Sequence, residues 1–137
     1  MRRIMSVFAV AAAAACCSGT AHAQFRHLIG SGTIIIKSGE TLELSQVYWV
    51  VHCRSLLKSV PEVEVLDGPQ QISVSVKEAM VLPRQQSCSK KVPGGMLVIT
   101  AKDIEDPSYT HLAVRVTYDT KDGVRKFGHV YNLQLVP

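Results

Sequence analysis

Apolar and polar residues alternate along the last part of the chain. Leu112, Val114, Val116 and Tyr118 fall on one side of the run from Thr110 to Tyr118. Phe127, His129, Tyr131, Leu133 and Leu135 fall on one side of the run from Val124 to Val136. A period of two is that of a half-buried strand. Asp122-Gly123 separates the arms, and Gly accepts the positive φ that a hairpin turn demands. The pattern predicts a long terminal β-hairpin with one apolar face, which further sheet must cover.

Upstream the segments are shorter. Thr33 to Ile36 is β-branched throughout and predicts a first strand, and Thr41-Leu42-Glu43-Leu44 alternates. Val47 to Cys53 is apolar on both sides, which predicts a central strand covered on both faces, with Trp49 and Cys53 on the same side. Ser55 to Ser59 fits a single helical turn, and Val63 to Leu66 a strand ended by Asp67-Gly68-Pro69. Ile72, Val74 and Val76 mark a one-sided strand, which Met80-Val81-Leu82 either extends past a bulge or follows as a separate strand. Arg84 to Gly95 reads as a polar loop with a turn at Pro93-Gly94-Gly95, Met96 to Ala101 as a strand, and Asp103 to Pro107 as a turn. Seven to nine short strands at intervals of about 8–12 residues, without an amphipathic helix, predict an all-β, antiparallel β-sandwich. Helical crossovers, which parallel sheets need, are missing. Trp49, Val51, Val74, Val116, Tyr118, Leu133 and Leu135 are its expected core.

The N-terminus changes the picture. Arg2 and Arg3 precede an apolar run from Ile4 to Cys17, and Ala21-His22-Ala23 offers small residues for cleavage. Residues 1–23 therefore read as a secretory signal peptide. The run is too short for a membrane span of about 20 residues, so no stable membrane insertion is expected after cleavage. Ala13-Ala14-Ala15-Cys16 offers a second route, lipidation at Cys16. Plain cleavage leaves residues 24–137, 137 − 23 = 114 residues, enough for a single domain. The residues from Gln24 to Ser31 carry no pattern and read as a loose arm. The charge of +4 loses Arg2 and Arg3, leaving +2, too small an excess to argue for nucleic acid. Cys53 and Cys88 remain of the four cysteines. An even count in a small exported domain reads as one disulfide, two unpaired thiols being the other reading.

A Trp near a disulfide is an ingredient of immunoglobulin-type sandwiches. The run Cys53-Arg54-Ser55, Pro61-Glu62-Val63-Glu64-Val65, Gly68-Pro69 and Ile72-Ser73-Val74-Ser75-Val76 resembles small exported bacterial proteins with an immunoglobulin-like or cadherin-like domain. Cys88, Pro93-Gly94-Gly95 and Arg115-Val116-Thr117-Tyr118 with Asp122-Gly123 stand where that family continues. Asp106-Pro107-Ser108-Tyr109 departs from its common Gly-x-Asp-x-Phe-x-Tyr run. The resemblance implies an immunoglobulin-like sandwich and export. It implies no activity.

Candidate chemistry is sparse. His27, His52, His111 and His129 include no His-x-His pair, and no Cys-x-x-Cys occurs, so no metal or other cofactor is expected. His27 near a new N-terminus leaves a copper site open, and Asp103, Glu105 and Asp106 leave either a Ca²⁺ loop or a plain turn. No Gly-x-Ser-x-Gly elbow occurs. Cys88, near Lys90 and Lys91, reads as half of a disulfide or as an activated thiol. Glu62 and Glu64 alternate with Val63 and Val65, as on a solvated face. Arg84, Lys90 and Lys91 form a basic loop around Cys88, either a soluble loop or a contact patch for an anionic envelope component or acidic partner. The expected function is a non-enzymatic exported module that contacts an envelope protein or glycan through its loops. A small envelope enzyme, or an inhibitor of one, is the alternative.

Overall fold

The structure, a computed structural model, describes residues 32–84 and 87–137. The expected signal peptide, Cys16, the arm from Gln24 to Ser31 and His27 lie outside the described residues. The strands are β1 Ile34–Lys37, β2 Thr41–Val47, β3 Val50–Val51, β4 Arg54–Ser55, β5 Glu62–Asp67, β6 Ile72–Val81, β7 Val92–Ala101, β8 Ser108–Thr120 and β9 Gly123–Val136. They form a four-stranded sheet in the order β1-β9-β8-β5, a three-stranded sheet β2-β7-β6, and the small pair β3-β4. Among the described residues there is no helix. The main core draws on both larger sheets. Ile36, Leu112, Val114, Val116, Leu133 and Leu135 come from the first, and Leu42, Leu44, Val47, Leu97, Ile99 and Ala101 from the second. Two sheets sharing one apolar layer make a β-sandwich, the all-β architecture that the alternation predicts.

The terminal hairpin is longer than its pattern. β8 and β9 pair in unbroken antiparallel register from Ser108↔Leu135 to Thr120↔Gly123. Thr120, fully buried, donates its hydroxyl to the Gly123 carbonyl at 2.6 Å and accepts from the Asp122 amide at 3.2 Å, which shapes the turn. On the far face of the β8–β5 pair, Arg115 donates to Glu64 at 2.6 Å and His111 meets Asp67 at 2.7 Å. Both pairs are exposed, so each contributes about 0–1 kcal/mol.

Several expectations are corrected. β1 pairs with β9 in parallel, Ile34↔Leu133 to Lys37↔Val136. No crossover helix is needed, because the whole domain lies between these strands in sequence. Met80-Val81 neither follows a bulge nor starts a strand, since β6 runs continuously against β7 from Ile72↔Ala101 to Val81↔Val92. Pro93-Gly94-Gly95 is not a turn but part of β7. A Cβ on Gly94 would stand 2.6 Å from the Val47 carbonyl oxygen, and one on Gly95 would stand 2.5 Å from Val76. Gly94 thus serves close approach of the β2 backbone and Gly95 makes room for Val76 of β6, roles indistinguishable from a turn in one dimension. In β2 the register shifts between Glu43 and Ser45. That bulge changes the phase, so Leu42, Leu44 and Val47 are all buried although their spacing breaks strict alternation.

The run from Val47 to Cys53 departs most. It is not one strand. β2 ends at Val47, and β3 and β4 form a two-residue hairpin whose turn is His52-Cys53. Both turn residues have positive φ, 50° and 60°. Such a turn is usually advertised by Asn-Gly or Asp-Gly. Val51 is therefore 43% exposed, not in the core. Ser55 to Ser59 makes no helical turn. Arg54–Ser55 is β4, and Leu57 bridges Thr120. Trp49 and Val74 pack against the core while only partly buried, whereas Val116, Tyr118, Leu133 and Leu135 are buried as expected.

Candidate functional site

The β3–β4 hairpin, the segment before β7 and the β8–β9 tip gather at one end of the sandwich. Leu57 and Lys58 bind the tip, with the Lys58 amide donating to the Asp119 carbonyl at 2.9 Å. The Lys121 amide donates to the Leu56 carbonyl at 3.0 Å. The Leu56 amide donates back to the Trp49 carbonyl at 2.9 Å, closing the loop that carries β3 and β4.

Cys53 and Cys88 are bonded, with a Cα–Cα distance of 5.5 Å. The bond ties the β3–β4 turn to the loop between β6 and β7. Such bonds form and persist in an oxidising, extracytoplasmic environment. Cys88 is buried and spent in the bond, which excludes an activated thiol. Ser87, like His52 and Cys53, has positive φ, at 50°. Each such L residue costs about 1 kcal/mol or more, so the joined loops hold a backbone they would not adopt alone. Below them, Val50, Val81 and Val92 form a second apolar cluster with Tyr48 and Ala79 packed on it. Val81 and Val92 lie on the face of the β6–β7 ribbon opposite Ile72, Val74 and Val76, so the ribbon changes its buried side along its length. Tyr48 also accepts the Arg84 amide on its hydroxyl at 3.3 Å.

Arg84, Lys90 and Lys91 are all exposed on this loop. The disulfide brings exposed Arg54 and His52 beside them, a neighbourhood that sequence spacing did not reveal. Lys58, Lys121, Arg125 and Lys126 stand at the same end, on the segment bound to the tip and on the tip itself. Beside them stand the tip carboxylates Asp119 and Asp122 and, across Thr117 from Lys126, Glu62 of β5. The opposite end has the reverse balance. There Gly39 donates to the Ala101 carbonyl at 2.8 Å, gathering Glu40, Asp103, Glu105 and Asp106 with Lys37 and Lys102. The three acidic residues of that turn assemble no Ca²⁺ site. Among the described residues no three His, Cys, Asp or Glu side chains converge on a metal position. Asp103 instead takes positive φ, 55°, a conformation that Asp tolerates in turns.

An aromatic cluster braces the loop end. The Trp49 ring lies 5.6 Å from Tyr118 and 5.7 Å from Phe127, and Tyr118 and Phe127 meet edge-on at 6.1 Å. His129 stacks on Tyr131 further along β9. The phenol of Tyr118 is pushed up to about 12, first by burial and then by the charges of Tyr131 and Tyr48. An unfolded Tyr ionises near pH 10, so between pH 10 and 12 the unfolded chain binds fewer protons than the folded one. The stability that Tyr118 contributes is fully present below pH 10 and is lost as pH rises through this window. Thermal melts over pH 9–12 should show a steeper fall for the native chain than for Tyr118→Phe. Parallel curves would assign the alkaline loss to other groups.

Comparison of the chain with protein-family models, with curated proteins and with solved structures finds no match.

Proposed function

We propose that the protein is an exported, non-enzymatic binding module of the bacterial cell envelope, periplasmic or secreted, that engages an anionic protein or glycan at its loop end. The observation that carries this reading is the segregation of charge. Arg54, Arg84, Lys90 and Lys91 stand on segments locked together by the disulfide, while Glu40, Asp103, Glu105 and Asp106 gather at the other end. A cationic patch on rigid loops attracts anionic partners and speeds their encounter. The strand orders β1-β9-β8-β5 and β2-β7-β6 support an immunoglobulin-like reading, with β2, β7 and β6 in the places of strands B, E and D and β5, β8 and β9 in those of C, F and G. The secretory pattern of residues 1–23 and the disulfide support export.

The test compares two triple variants of equal net charge. Arg84→Ala with Lys90→Ala and Lys91→Ala strips the loop, and Lys37→Ala with Lys77→Ala and Lys102→Ala strips cations away from it. Dextran sulfate serves as the probe and neutral dextran as the control. The loop variant should lose most of its affinity and its salt dependence, and the distal variant should keep both. The stability of the loop variant should change by less than about 0.5 kcal/mol. Equal loss in the two variants would reduce the effect to net charge. Early melting of the loop variant would make these cations structural.

A further inference from the structure

The two edges of β9 are used unequally. Along one, β8 pairs with its whole length. Along the other, β1 pairs only with the last turn of the strand, from Leu133 to Val136. Among the described residues nothing pairs with this second edge from Gly123 to Asn132. The Ser38 amide donates to the Val136 carbonyl at 2.9 Å, so the backbone polar groups of Val136 face this edge. Backbone direction alternates along a strand, and the register here is unbroken. Val124, Lys126, Gly128, Val130 and Asn132 therefore aim their N–H and C=O groups outward along the open edge. Val130 is 70% exposed, Val124 56% and Phe127 48%.

Natural sheets blunt such edges with proline, bulges, short strands or charge. This stretch has no proline and no bulge, and its only permanent charges are Arg125 and Lys126. β9 contains no Asp or Glu at all. Its cations disfavour pairing with a second copy of the same strand and favour a strand that carries carboxylates.

We propose that the open edge of β9, from Val124 to Asn132, takes up an extended acidic segment of a partner protein as an added strand of the β1-β9-β8-β5 sheet. The outward amides and carbonyls supply main-chain hydrogen bonds. Alternate side chains of the incoming segment meet Lys126 and Val130 on the outer face and Arg125 and Phe127 on the inner one. Arg125 and Lys126 also stand at the loop end, but the proposal rests on main-chain pairing along β9 and stands without the reading given for the disulfide-linked loops.

The test uses the purified protein and a peptide of about ten residues alternating Glu and Val, long enough to span the edge at ~3.3 Å per residue. The matched control alternates Lys and Val. In the free protein the amides of Lys126, Gly128 and Val130 should exchange with deuterium quickly, while those of Phe127, His129 and Tyr131, facing β8, exchange slowly. The Glu peptide should slow the first group, and the Lys peptide should not. Val130→Pro removes an outward N–H, which edges tolerate, and should abolish that protection with an unchanged circular dichroism spectrum. Should this variant misfold, Arg125→Glu with Lys126→Glu decides instead, by transferring the protection to the Lys peptide. Slow exchange of the outward amides in the free protein would overturn the proposal. Sedimentation would then show whether a second copy or the chain's own N-terminal segment covers the edge. Equal protection by both peptides, or none by either, would overturn it as well.

Discussion

The double change Cys53→Ala with Cys88→Ala should lower stability by about 2–5 kcal/mol. The bond closes a loop with a sequence separation of 35. Chain entropy alone assigns roughly 4 kcal/mol to a loop of that length. That is a large part of what a small domain has to lose. The segments it joins contain little regular structure. β3 and β4 are two residues each, and the His52-Cys53 turn and Ser87 are held at positive φ. Without the bond the turn can relax toward ordinary backbone angles, and the small cluster of Val50, Val81 and Val92 loses its cover. Urea denaturation of the double variant against the oxidised parent measures the loss, and the parent under reductant should fall to the same midpoint. An unchanged midpoint would mean that the sandwich stands alone and the bond merely orders its loops. In that case affinity for dextran sulfate should fall without any loss of stability.

Trp49→Ala should cost about 3 kcal/mol, the low end for a large aromatic because the ring is only partly buried. Trp49 lies outside any strand, yet its ring packs against the main core beside Tyr118 of β8. Its ring covers Tyr118 and Phe127, and removing it leaves both facing water. Aromatic pairs contribute about 0.5–1.5 kcal/mol beyond the area they bury. A double-mutant cycle with Phe127→Ala should therefore show coupling of about that size. Thermal melts followed by circular dichroism are the suitable measurement, since Trp49 is the only tryptophan and fluorescence would be lost with it. A loss below about 1 kcal/mol would show that the rings stabilise the fold little.

Alternation made the sandwich legible wherever a strand keeps one face in the core without interruption. β8 is such a strand, with Leu112, Val114, Val116 and Tyr118 all buried at a spacing of two. So is the first part of β6. The same rule misplaced Val51, because an apolar run seen in one dimension cannot distinguish a two-faced central strand from a short hairpin across a sheet end. The basic loop was legible as composition, but its enlargement by Arg54 and His52 depends on a bond between distant residues.

Sequence alone determined the β class and the terminal hairpin, because period and turn chemistry act locally; it offered the bond between Cys53 and Cys88 as one of two readings, which the structure decided. Tertiary structure alone decided four other things: the parallel seating of β1 on β9, the bulge that turns Val47 inward, the packing of Val81 and Val92 on the outer side of their ribbon, and the open edge of β9. Each depends on which strand lies beside or across from another. That choice is made by burying the whole apolar surface at once, and no local pattern of residues records it.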